Sequence, residues 1–252
     1  MKIGLIGAGR LGICLALLIE KAGYEVLASD ARKNYIHELQ QGIVTSTEPG
    51  VAQYLWNAKN IEFTVSNERV ITECDIIFTL VATPSLEDGS YDVSAVDDVV
   101  SDILKFGWEN KNSLTGKSFV VGCTTNPGDC DRFQEKLSEV GMNVYYNPEF
   151  IAQGSIIKDL QTADMVLIGG KDDCYDKDQS KDKIWTSALL AEIYHKIQVT
   201  EPSIHYMSTK AAELTKIALN CFLTTKISYA NMIGEVLALS KMESEIDTVL
   251  KA

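Results

Sequence analysis

The sequence predicts an α/β fold in which a doubly wound parallel sheet is followed by one long central helix. Short apolar strands alternate with helical patterns through the first 150 residues, and this alternation is typical of a parallel sheet covered by helices on both faces. A glycine-rich turn directly follows the first strand. After Pro202 the strand-like alternation ends, and a single helical pattern covers residues 208–241.

The N-terminal elements follow one another in the order of a dinucleotide-binding unit. Lys2–Ile6 is predicted as a buried strand, and the turn Gly-Ala-Gly-Arg-Leu-Gly of residues 7–12 follows at once. An apolar helical pattern covers residues 13–22, and a second strand, Glu25–Ser29, ends on Asp30. A glycine pattern alone is weak, but the strand, turn, helix and acidic residue together form the context of a Rossmann-like dinucleotide fingerprint.

Each glycine of this turn has a mechanical task. Gly7 permits the tight turn, Gly9 lets the backbone approach a pyrophosphate, and Gly12 lets helix and strand pack closely. The helix N-terminus offers N–H groups and a positive dipole end to the phosphates. Asp30 can accept hydrogen bonds from a ribose 2′-hydroxyl and would repel a 2′-phosphate, so the predicted cofactor is NAD. The cofactor-binding residues predicted here are Gly7, Gly9, Arg10, Leu11, Gly12 and Asp30.

Charge and hydropathy exclude several classes of partner. The 252 residues carry a formal net charge of −12, which argues against nucleic acid and anionic membranes as partners. Arg10 interrupts the N-terminal apolar run, and Glu20 and Lys21 end it, so a secretory signal is not expected. No later stretch approaches the roughly 20 apolar residues of a membrane span. We therefore expect neither a nucleic-acid-binding nor a membrane protein.

The six cysteines predict neither a metal site nor a redox motif. They are scattered along the chain, and none forms a Cys-x-x-Cys pair. Several fall inside predicted strands or helices, where a free cysteine behaves as a small hydrophobic residue. This usage fits the reducing cytoplasm best, so the expected location is cytoplasmic.

Further strands and helices continue the alternation along the chain. Arg32 and Lys33 are predicted as solvated charges at the start of a helix. The later predicted strands cover residues 75–81, 118–122, 143–146, 165–168 and 197–200. The later predicted helices cover residues 93–106, 129–140 and 183–196, with a solvated loop at 171–183. The helix of residues 208–241 would be about 50 Å long, a length typical of an element that bridges domains or forms a dimer interface.

Three segments follow predicted strands at the edge where doubly wound sheets bind their ligands. They are residues 81–85 (Val-Ala-Thr-Pro-Ser), 123–128 (Cys-Thr-Thr-Asn-Pro-Gly) and 147–150 (Asn-Pro-Glu-Phe). Each of these segments alone is typical of a plain turn, because proline and glycine are common in turns. Together at the cofactor edge they predict a site.

Two further features could carry chemistry. Glu149 follows a strand and is partly shielded by Phe150 and Ile151, so its carboxylate is a candidate for proton transfer. Lys216 and Asn220 lie four residues apart and therefore on one face of the long helix. A lysine and an amide together can hold a developing oxyanion or orient a water. An ordinary surface carboxylate and a solvated helix face remain the alternative interpretations.

On these residues the chain resembles the UDP-glucose/GDP-mannose dehydrogenase family, from Met1 to about Lys241. The resemblance rests on the glycine fingerprint and the three strand-end segments. It rests further on Glu48-Pro49-Gly50, Gly154, Asp159, and Ala212-Glu213-Leu214 leading to Lys216 and Asn220. Members of this family oxidise the C6 alcohol of a nucleotide sugar to a carboxylate with two NAD, through an intermediate bound to a cysteine.

The resemblance implies further residues on the cofactor side. Thr124 would also count among the catalytic residues, and Gln153 would lie near the nicotinamide. The residues that would line the cofactor site are Val81, Thr83, Pro84, Thr124 and Gln153.

The resemblance implies substrate-side roles as well. Glu149 would assist water at the thioester stage and, with Phe150 and Ile151, contact the nucleotide sugar. Lys216 would stabilise oxyanions, and Asn220 would hold substrate or water. Glu149-Phe150 favours the UDP-glucose or GDP-mannose branches over the N-acetylmannosamine branch, in which arginine tends to follow the glutamate.

The chain departs from the family pattern at several positions. Gln153 stands where members usually carry glutamate, Asn126 replaces a usual proline, and Cys123 replaces a usual serine. The family's catalytic cysteine lies in a Gly-Gly-x-Cys-x-Pro-Lys-Asp segment beyond the central helix, which these residues do not contain. Cys174 and Cys221 have no matching context, although a nucleophilic cysteine needs a setting that favours its thiolate. We therefore expect the chain alone not to be competent.

The expected organisation is a Rossmann-like NAD-binding domain over residues 1–203 and a long central helix over 204–252, without the family's C-terminal UDP-binding domain. The expected function is the NAD-binding portion of a UDP-glucose 6-dehydrogenase-like enzyme that acts on UDP-glucose and forms a homodimer through the long helix.

Three alternatives stay open at this point. They are a GDP-mannose 6-dehydrogenase-like enzyme, a non-catalytic NAD-binding or dimerisation module, and a simpler NAD-linked dehydrogenase with a single hydride transfer. The last would need a positioned base. His37 and His195 are predicted within helices, and His205 is only a loosely plausible candidate.

Overall fold

The computed structural model describes residues 1–44, 46–111, 113–151, 154–170 and 186–251. Within these ranges, eight strands form one sheet. The strands are β1 (Lys2–Ile6), β2 (Glu25–Ser29), β3 (Ile61–Thr64), β4 (Ile76–Thr79), β5 (Ser118–Val121), β6 (Asn143–Tyr146), β7 (Val166–Gly169) and β8 (Ile204–Met207).

Helices connect most of these strands. The α-helices of the described ranges are α1 (Arg10–Lys21), α2 (Lys33–Gln40), α3 (Val51–Asn57), α4 (Asn67–Glu73), α5 (Ser94–Glu109), α6 (Asp129–Leu137), α7 (Ile156–Gln161), α8 (Thr186–Ile197), α9 (Thr209–Leu239) and α10 (Ile246–Lys251).

The sheet has the order β3-β2-β1-β4-β5-β6-β7-β8. All neighbouring strands are parallel except β6 and β7, which pair antiparallel between Tyr146 and Gly169. The chain winds outward from β1 in both directions, first to β2 and β3 and then to β4 and beyond. A ligand crevice is therefore expected beyond the carboxyl ends of β1 and β4, where the winding reverses.

The central strands are buried on both faces of the sheet, as their continuous apolar runs predict. In β4, Ile76 and Phe78 belong to one hydrophobic cluster, whereas Ile77 belongs to the other. The first cluster includes Ile13 of α1, and the second includes Phe133 of α6. Helices thus cover both faces, and the predicted doubly wound fold is confirmed.

The described structure comprises two compact units, Met1–Glu213 and Leu214–Ala252. The first contains the whole sheet and the start of α9, and the second contains the rest of α9 and α10. The first unit extends past the predicted boundary at residue 203, because β8 pairs with β7 and because Ala212 and Glu213 are fully buried.

One predicted strand is wrong. Ile197, the first residue of the strand predicted at 197–200, is the last residue of α8, where it is 4% exposed, whereas Val199 is 71% exposed. The last strand is β8, seven residues further along. A short apolar run at the end of a helix cannot be told from a strand by its periodicity alone.

Several short elements lie where the sequence predicted none, namely α3, α4, α7 and β3. The predicted loop at 171–183 and the first three residues of the predicted helix at 183–196 lie outside the described residues. The long helix predicted at 208–241 is α9, and it ends before Lys241, whose φ of 59° is left-handed. Among the helices described, none is both long and apolar enough to cross a membrane.

Candidate functional site

The glycine-rich turn between β1 and α1 has two positions where the fold itself demands glycine. Gly7 has a φ of +98°, and a Cβ there would lie 2.8 Å from the carbonyl carbon and oxygen of Leu80. A Cβ on Gly12 would overlap the carbonyl oxygen of Gly7. The N–H groups of Gly7 and Ala8 both donate to Ser29 at 2.9 Å, so this turn is fixed to the end of β2.

Gly9 differs from the other two glycines. A Cβ built on Gly9 would have no heavy atom within 4 Å. Gly9 is also the N-cap residue of α1, and no side chain caps that helix. Open space therefore lies beside a helix N-terminus that carries N–H groups and a positive dipole end, which is the environment that a pyrophosphate requires.

Asp30, at the end of β2, is held by Arg32. Its carboxylate accepts the backbone N–H of Arg32 at 3.0 Å, the Nε at 2.8 Å and a terminal guanidinium nitrogen at 2.9 Å. Burial disfavours the charge of Asp30, but the hydrogen bonds and charge of Arg32 outweigh burial and hold the pKa below its usual value. The guanidinium carbon of Arg32 lies 4.1 Å from the ring centre of Tyr35. Arg32 is thus an ion-pair partner rather than the purely solvated charge predicted.

These residues line one cavity of about 560 Å³ at the carboxyl edge of the sheet. Its volume is within the range of small-molecule sites. The lining comprises Ile6, Gly7, Gly9, Arg10, Asp30, Ala31, Arg32, Val65, Asn67, Leu80, Val81, Ala82, Ala95, Asp98, Val99 and Asp102. Five predicted cofactor residues are therefore brought together, namely Gly7, Gly9, Arg10, Asp30 and Val81.

The other predicted cofactor residues lie outside this lining. Leu11 packs against the hydrophobic cluster that contains α1, and Gly12 is buried beneath the turn. Thr83 and Pro84 follow β4, and Thr124 follows β5. Gln153 lies outside the described residues.

The segment after β6 is fixed by a buried amide. Asn147 donates through Nδ2 to the carbonyl of Leu167 at 2.9 Å and accepts the hydroxyl of Tyr194 at 2.8 Å. Burial raises the pKa of Tyr194, so its hydroxyl remains a donor. Glu149, two residues further on, accepts the N–H of Ile151 at 3.2 Å. The predicted substrate residues Glu149 to Ile151 therefore follow an anchored position.

Phe150 and Ile151 turn to opposite sides of the sheet. Phe150 packs against the cluster that contains α5 and α6, whereas Ile151 packs against the cluster that contains α1. Both side chains remain partly exposed. Glu149, which follows β6, is also partly exposed.

Glu48 is a buried carboxylate. In the sequence it stands out only as part of the motif Glu48-Pro49-Gly50. Its side chain is 1% exposed. It accepts the N–H of Gly154 at 3.0 and 3.1 Å and that of Ile156 at 3.3 Å, and Arg10 Nε lies 4.0 Å from it. Glu48 therefore links the glycine-rich turn to the chain that follows Ile151.

Glu213 plays a similar part on the other side of the sheet. It is fully buried and accepts the hydroxyl of Thr125 at 2.9 Å and the N–H groups of Gly128 at 2.6 Å and Cys130 at 2.8 Å. The carboxylate thereby satisfies N–H groups at the start of α6 and fixes the turn that carries Thr124. Its partners are distant in sequence, so only its place in a recognised motif could have singled it out.

Lys216 and Asn220 lie on α9 in the second compact unit. They are one helical turn apart, as predicted. Lys216 is buried, with 6% exposure, and Asn220 is partly exposed. Burial of the lysine differs from the solvated helix face that was the alternative interpretation.

Most described cysteines are poor nucleophiles. Burial raises the pKa of Cys14, Cys74 and Cys123 to about 12, and it raises that of Cys130 well above the usual value. A buried thiol with a raised pKa supplies little thiolate. Cys221 is exposed on α9, and Cys174 lies outside the described residues.

None of the three histidines lines the cavity described above. His37 lies in α2 and His195 in α8, as predicted. His205 is exposed on β8, the terminal strand of the sheet, four strands beyond β4 in the sheet order. In the described part of the chain, no group of three or more His, Cys, Asp or Glu side chains could hold a metal ion.

Residues 1–198 match the model of the UDP-glucose/GDP-mannose dehydrogenase family, NAD binding domain. UDP-glucose 6-dehydrogenase YwqF of Bacillus subtilis is 30% identical over 255 residues, which are 99% of this chain and 53% of that protein. The UDP-glucose 6-dehydrogenase of Pseudomonas aeruginosa is 27% identical over 257 residues, with 97% and 53% covered. The chain thus spans about half the length of the curated relatives it matches.

Solved structures show the same fold. A GDP-mannose dehydrogenase from Pseudomonas aeruginosa, in a ternary complex, matches with a TM-score of 0.85 at 24% identity and covers 100% of this chain and 57% of that one. A UDP-glucose dehydrogenase from Pyrobaculum islandicum matches with a TM-score of 0.78 at 25% identity, with 92% and 52% covered.

Proposed function

Because the chain belongs to the UDP-glucose/GDP-mannose dehydrogenase family and carries its NAD-binding domain, we propose that it serves the NAD-dependent oxidation of a nucleotide sugar. The reaction converts the C6 alcohol to a carboxylate, and UDP-glucose is the proposed substrate. The relatives named UDP-glucose 6-dehydrogenase support this choice. The observation that carries the proposal is the cavity that joins the glycine-rich turn to Asp30.

The cavity fits NAD on structural grounds. Open space beside Gly9 leaves room for the pyrophosphate, and the start of α1 offers N–H groups to it. Asp30, held in place by Arg32, presents carboxylate oxygens to the ribose hydroxyls. Arg10 lines the same cavity and adds positive charge near the phosphates. When bound, NAD supplies the hydride acceptor.

On the substrate side, the proposed roles follow the chemistry of each group. Glu149 moves a proton to or from water at the end of β6, where Asn147 anchors the chain. Thr124 contributes a hydroxyl beside the nicotinamide. Lys216 supplies a positive charge to a developing oxyanion, and Asn220 orients substrate or water. Phe150 and Ile151 offer apolar surface to the nucleotide sugar.

We propose that this chain, when it is assayed alone, cannot perform the second oxidation step. A thioester stage needs a thiolate, and burial keeps Cys14, Cys74, Cys123 and Cys130 protonated. Cys221 is exposed but lies on a helix without the glycine-rich context of the family's nucleophile. We therefore expect the 252 residues to bind NAD without releasing UDP-glucuronate.

Incubation with NAD and UDP-glucose tests this function, with NADH absorbance and uronate formation as readouts. NAD binding by calorimetry together with negligible uronate formation is the expected result, and Asp30→Ala serves as the control that weakens binding. Parallel samples with GDP-mannose test the alternative nucleotide. Robust uronate formation by this chain alone would contradict the proposed lack of a nucleophile, and absence of NAD binding would contradict the proposed function itself.

A homodimer through α9 is part of the proposal. In the second unit, large apolar side chains of α9 are exposed, namely Phe222, Leu223, Ile227, Tyr229, Met232 and Val236. Light scattering on the unaltered chain and on Ile227→Glu should show a dimer and a monomer, respectively. A dimer that binds NAD but oxidises no nucleotide sugar even when a second polypeptide supplies the family's cysteine segment would instead favour the non-catalytic NAD-binding and dimerisation module. A cytoplasmic location and a role in supplying uronic acid for polysaccharide biosynthesis complete the proposal.

A further inference from the structure

A small hairpin stands between β4 and α5. Ser85 and Tyr91 form an antiparallel bridge. Within it, Leu86 donates its N–H to Ser90 at 2.8 Å, and Gly89 donates to Leu86 at 3.0 Å. Residues 86–89 at its tip are exposed, so little of the tip is held by packing. The position of this hairpin therefore depends on the bonds at its base.

The side chain of Asn126 makes two hydrogen bonds at this base. Its Oδ1 accepts the N–H of Tyr91 at 2.8 Å, and its Nδ2 donates to the carbonyl of Tyr91 at 2.9 Å. The amide thereby pairs with one backbone residue through both its donor and its acceptor, as a neighbouring strand would. Asn126 and Tyr91 are 35 positions apart, so the pair joins two separate loops.

Asp129 fixes the amide of Asn126. One carboxylate oxygen of Asp129 accepts both the backbone N–H and the Nδ2 of Asn126, each at 2.9 Å. This pattern starts α6 and is local to the turn. The two bonds to Tyr91 do not contribute to the start of α6. They join Asn126 to the hairpin instead.

The two joined loops lie on one side of the proposed cofactor. The hairpin follows β4 and is preceded by Thr83 and Pro84, whereas Asn126 follows β5 two residues after Thr124. Asp30 lies at the end of β2, on the other side of β1. In a sheet of this order the adenosine half lies toward β2, and the nicotinamide half lies toward β4 and β5.

We propose that Asn126 is a positioning residue for the nicotinamide half of NAD. It clamps the hairpin of residues 85–91 to the turn that carries Thr124, so that Thr83 and Thr124 keep a fixed separation. Members of the family usually carry proline at this position, and a proline side chain offers no donor or acceptor. The two bonds to Tyr91 therefore depend on the asparagine that this chain carries. The proposal rests on NAD binding at the cavity described above.

The test compares Asn126→Ala and Asn126→Pro with the unaltered chain. NAD and ADP-ribose, which lacks the nicotinamide, are titrated calorimetrically, and NADH fluorescence reports how rigidly the nicotinamide is held. Loss of two hydrogen bonds is expected to weaken NAD about tenfold and to lower the NADH fluorescence enhancement, whereas ADP-ribose affinity stays within about twofold. Asn110→Ala is the matched control, since Asn110 is an exposed asparagine with one local bond at the end of α5, near the opposite edge of the sheet.

Amide hydrogen exchange gives a readout that needs no ligand. Both variants should lose protection at the Tyr91 amide, while the amides of β4 and β5 keep theirs. Equal weakening of NAD and ADP-ribose would overturn the proposal, because it would indicate a general loss of structure. Unchanged NAD affinity, or unchanged protection of Tyr91, would overturn it as well. If the unaltered chain bound ADP-ribose but not NAD, the positioning role would fail, whereas failure to bind either ligand would contradict the proposed function.

Discussion

The carboxylate of Glu48 accepts the backbone N–H of Gly154 through both of its oxygen atoms, at 3.0 and 3.1 Å, across 106 positions of the chain. This pair brings a loop after α2 to the chain that follows the predicted substrate residues. Arg10 of the glycine-rich turn lies 4.0 Å from the same carboxylate. The buried carboxylate of Glu48 therefore adjoins both the predicted cofactor residues and the chain that follows the predicted substrate residues.

Replacing Glu48 should destabilise the fold strongly. Glu48→Ala leaves the N–H groups of Gly154 and Ile156 without their acceptor, and the expected loss is about 2–3 kcal/mol of unfolding free energy. Glu48→Gln keeps one acceptor oxygen and should lose less. Urea unfolding measures both, with Glu25→Ala, at an exposed position of β2, as the control. Equal stability of Glu48→Ala and Glu25→Ala would show that the buried bonds contribute nothing.

Removal of the Asp30 carboxylate should weaken NAD. Asp30→Ala loses a charged acceptor for the ribose hydroxyls, and the dissociation constant is expected to rise about tenfold or more. Asp30→Asn should give an intermediate value, since the amide oxygen still accepts. Calorimetric titration provides the measurement, and Asp164→Ala, at an exposed carboxylate, provides the control. Undiminished NAD affinity in Asp30→Ala would rule out the ribose contact.

Arg32 should stabilise the fold only while Asp30 is ionised. The pKa of Asp30 is lowered from 3.8 in the folded state, so this stabilisation is present above the unfolded value and is lost as the pH falls through the folded one. Arg32→Gln should therefore cost unfolding free energy at about pH 7, and the difference should shrink below about pH 4. Because Arg32 is exposed, the effect should stay below about 1 kcal/mol. A difference that is constant with pH would contradict the role of this pair.

The buried thiols should resist alkylation in the folded chain. The pKa of Cys14, Cys74 and Cys123 is raised to about 12 by burial, so iodoacetamide at about pH 8 should label them slowly and the exposed Cys221 rapidly. Their raised pKa also predicts a loss of stability as the pH rises from about 9 toward 12, because the unfolded thiols ionise first.

Peptide mass spectrometry identifies the labelled sites, and labelling in denaturant shows that every thiol can react. Rapid labelling of Cys123 in the folded chain would contradict its burial and would reopen the question of a nucleophile beside Thr124.

Tyr194 should matter for stability through one hydroxyl. Tyr194→Phe removes the donor to Asn147 Oδ1 and leaves that buried oxygen without this partner. The expected loss is about 1 kcal/mol of unfolding free energy. Urea unfolding checks it against Tyr229→Phe, at a side chain that is 60% exposed. A Tyr194→Phe variant as stable as this control would mean that the amide finds another donor.

The sequence predicted the cofactor side of the site because its determinants are local. Gly7, Gly9, Gly12 and Asp30 occur within one strand–turn–helix–strand unit, whose spacing is fixed by backbone geometry. The ion pair between Arg32 and Asp30 cannot be predicted from the sequence in the same way, because it depends on the conformation of the turn after β2.

The buried polar contacts could not be predicted in this way. The partners of Glu48 and Asn126 are 106 and 35 positions away, and no periodicity encodes such distances. Ile197 shows a second limit, because its apolar side chain suits the end of a helix and the start of a strand equally well. The roles of Glu149, Lys216 and Asn220 remain predictions.

The three glycines of the turn answer to different constraints. Alanine at position 7 or 12 would collide with the protein's own backbone, so folding alone excludes it. Alanine at position 9 would meet no atom of the protein, and its methyl group would compete only with whatever occupies the space beside α1. Selection for folding and selection for dinucleotide binding would therefore differ at position 9. Selection for folding would accept alanine there, whereas selection for dinucleotide binding would reject it.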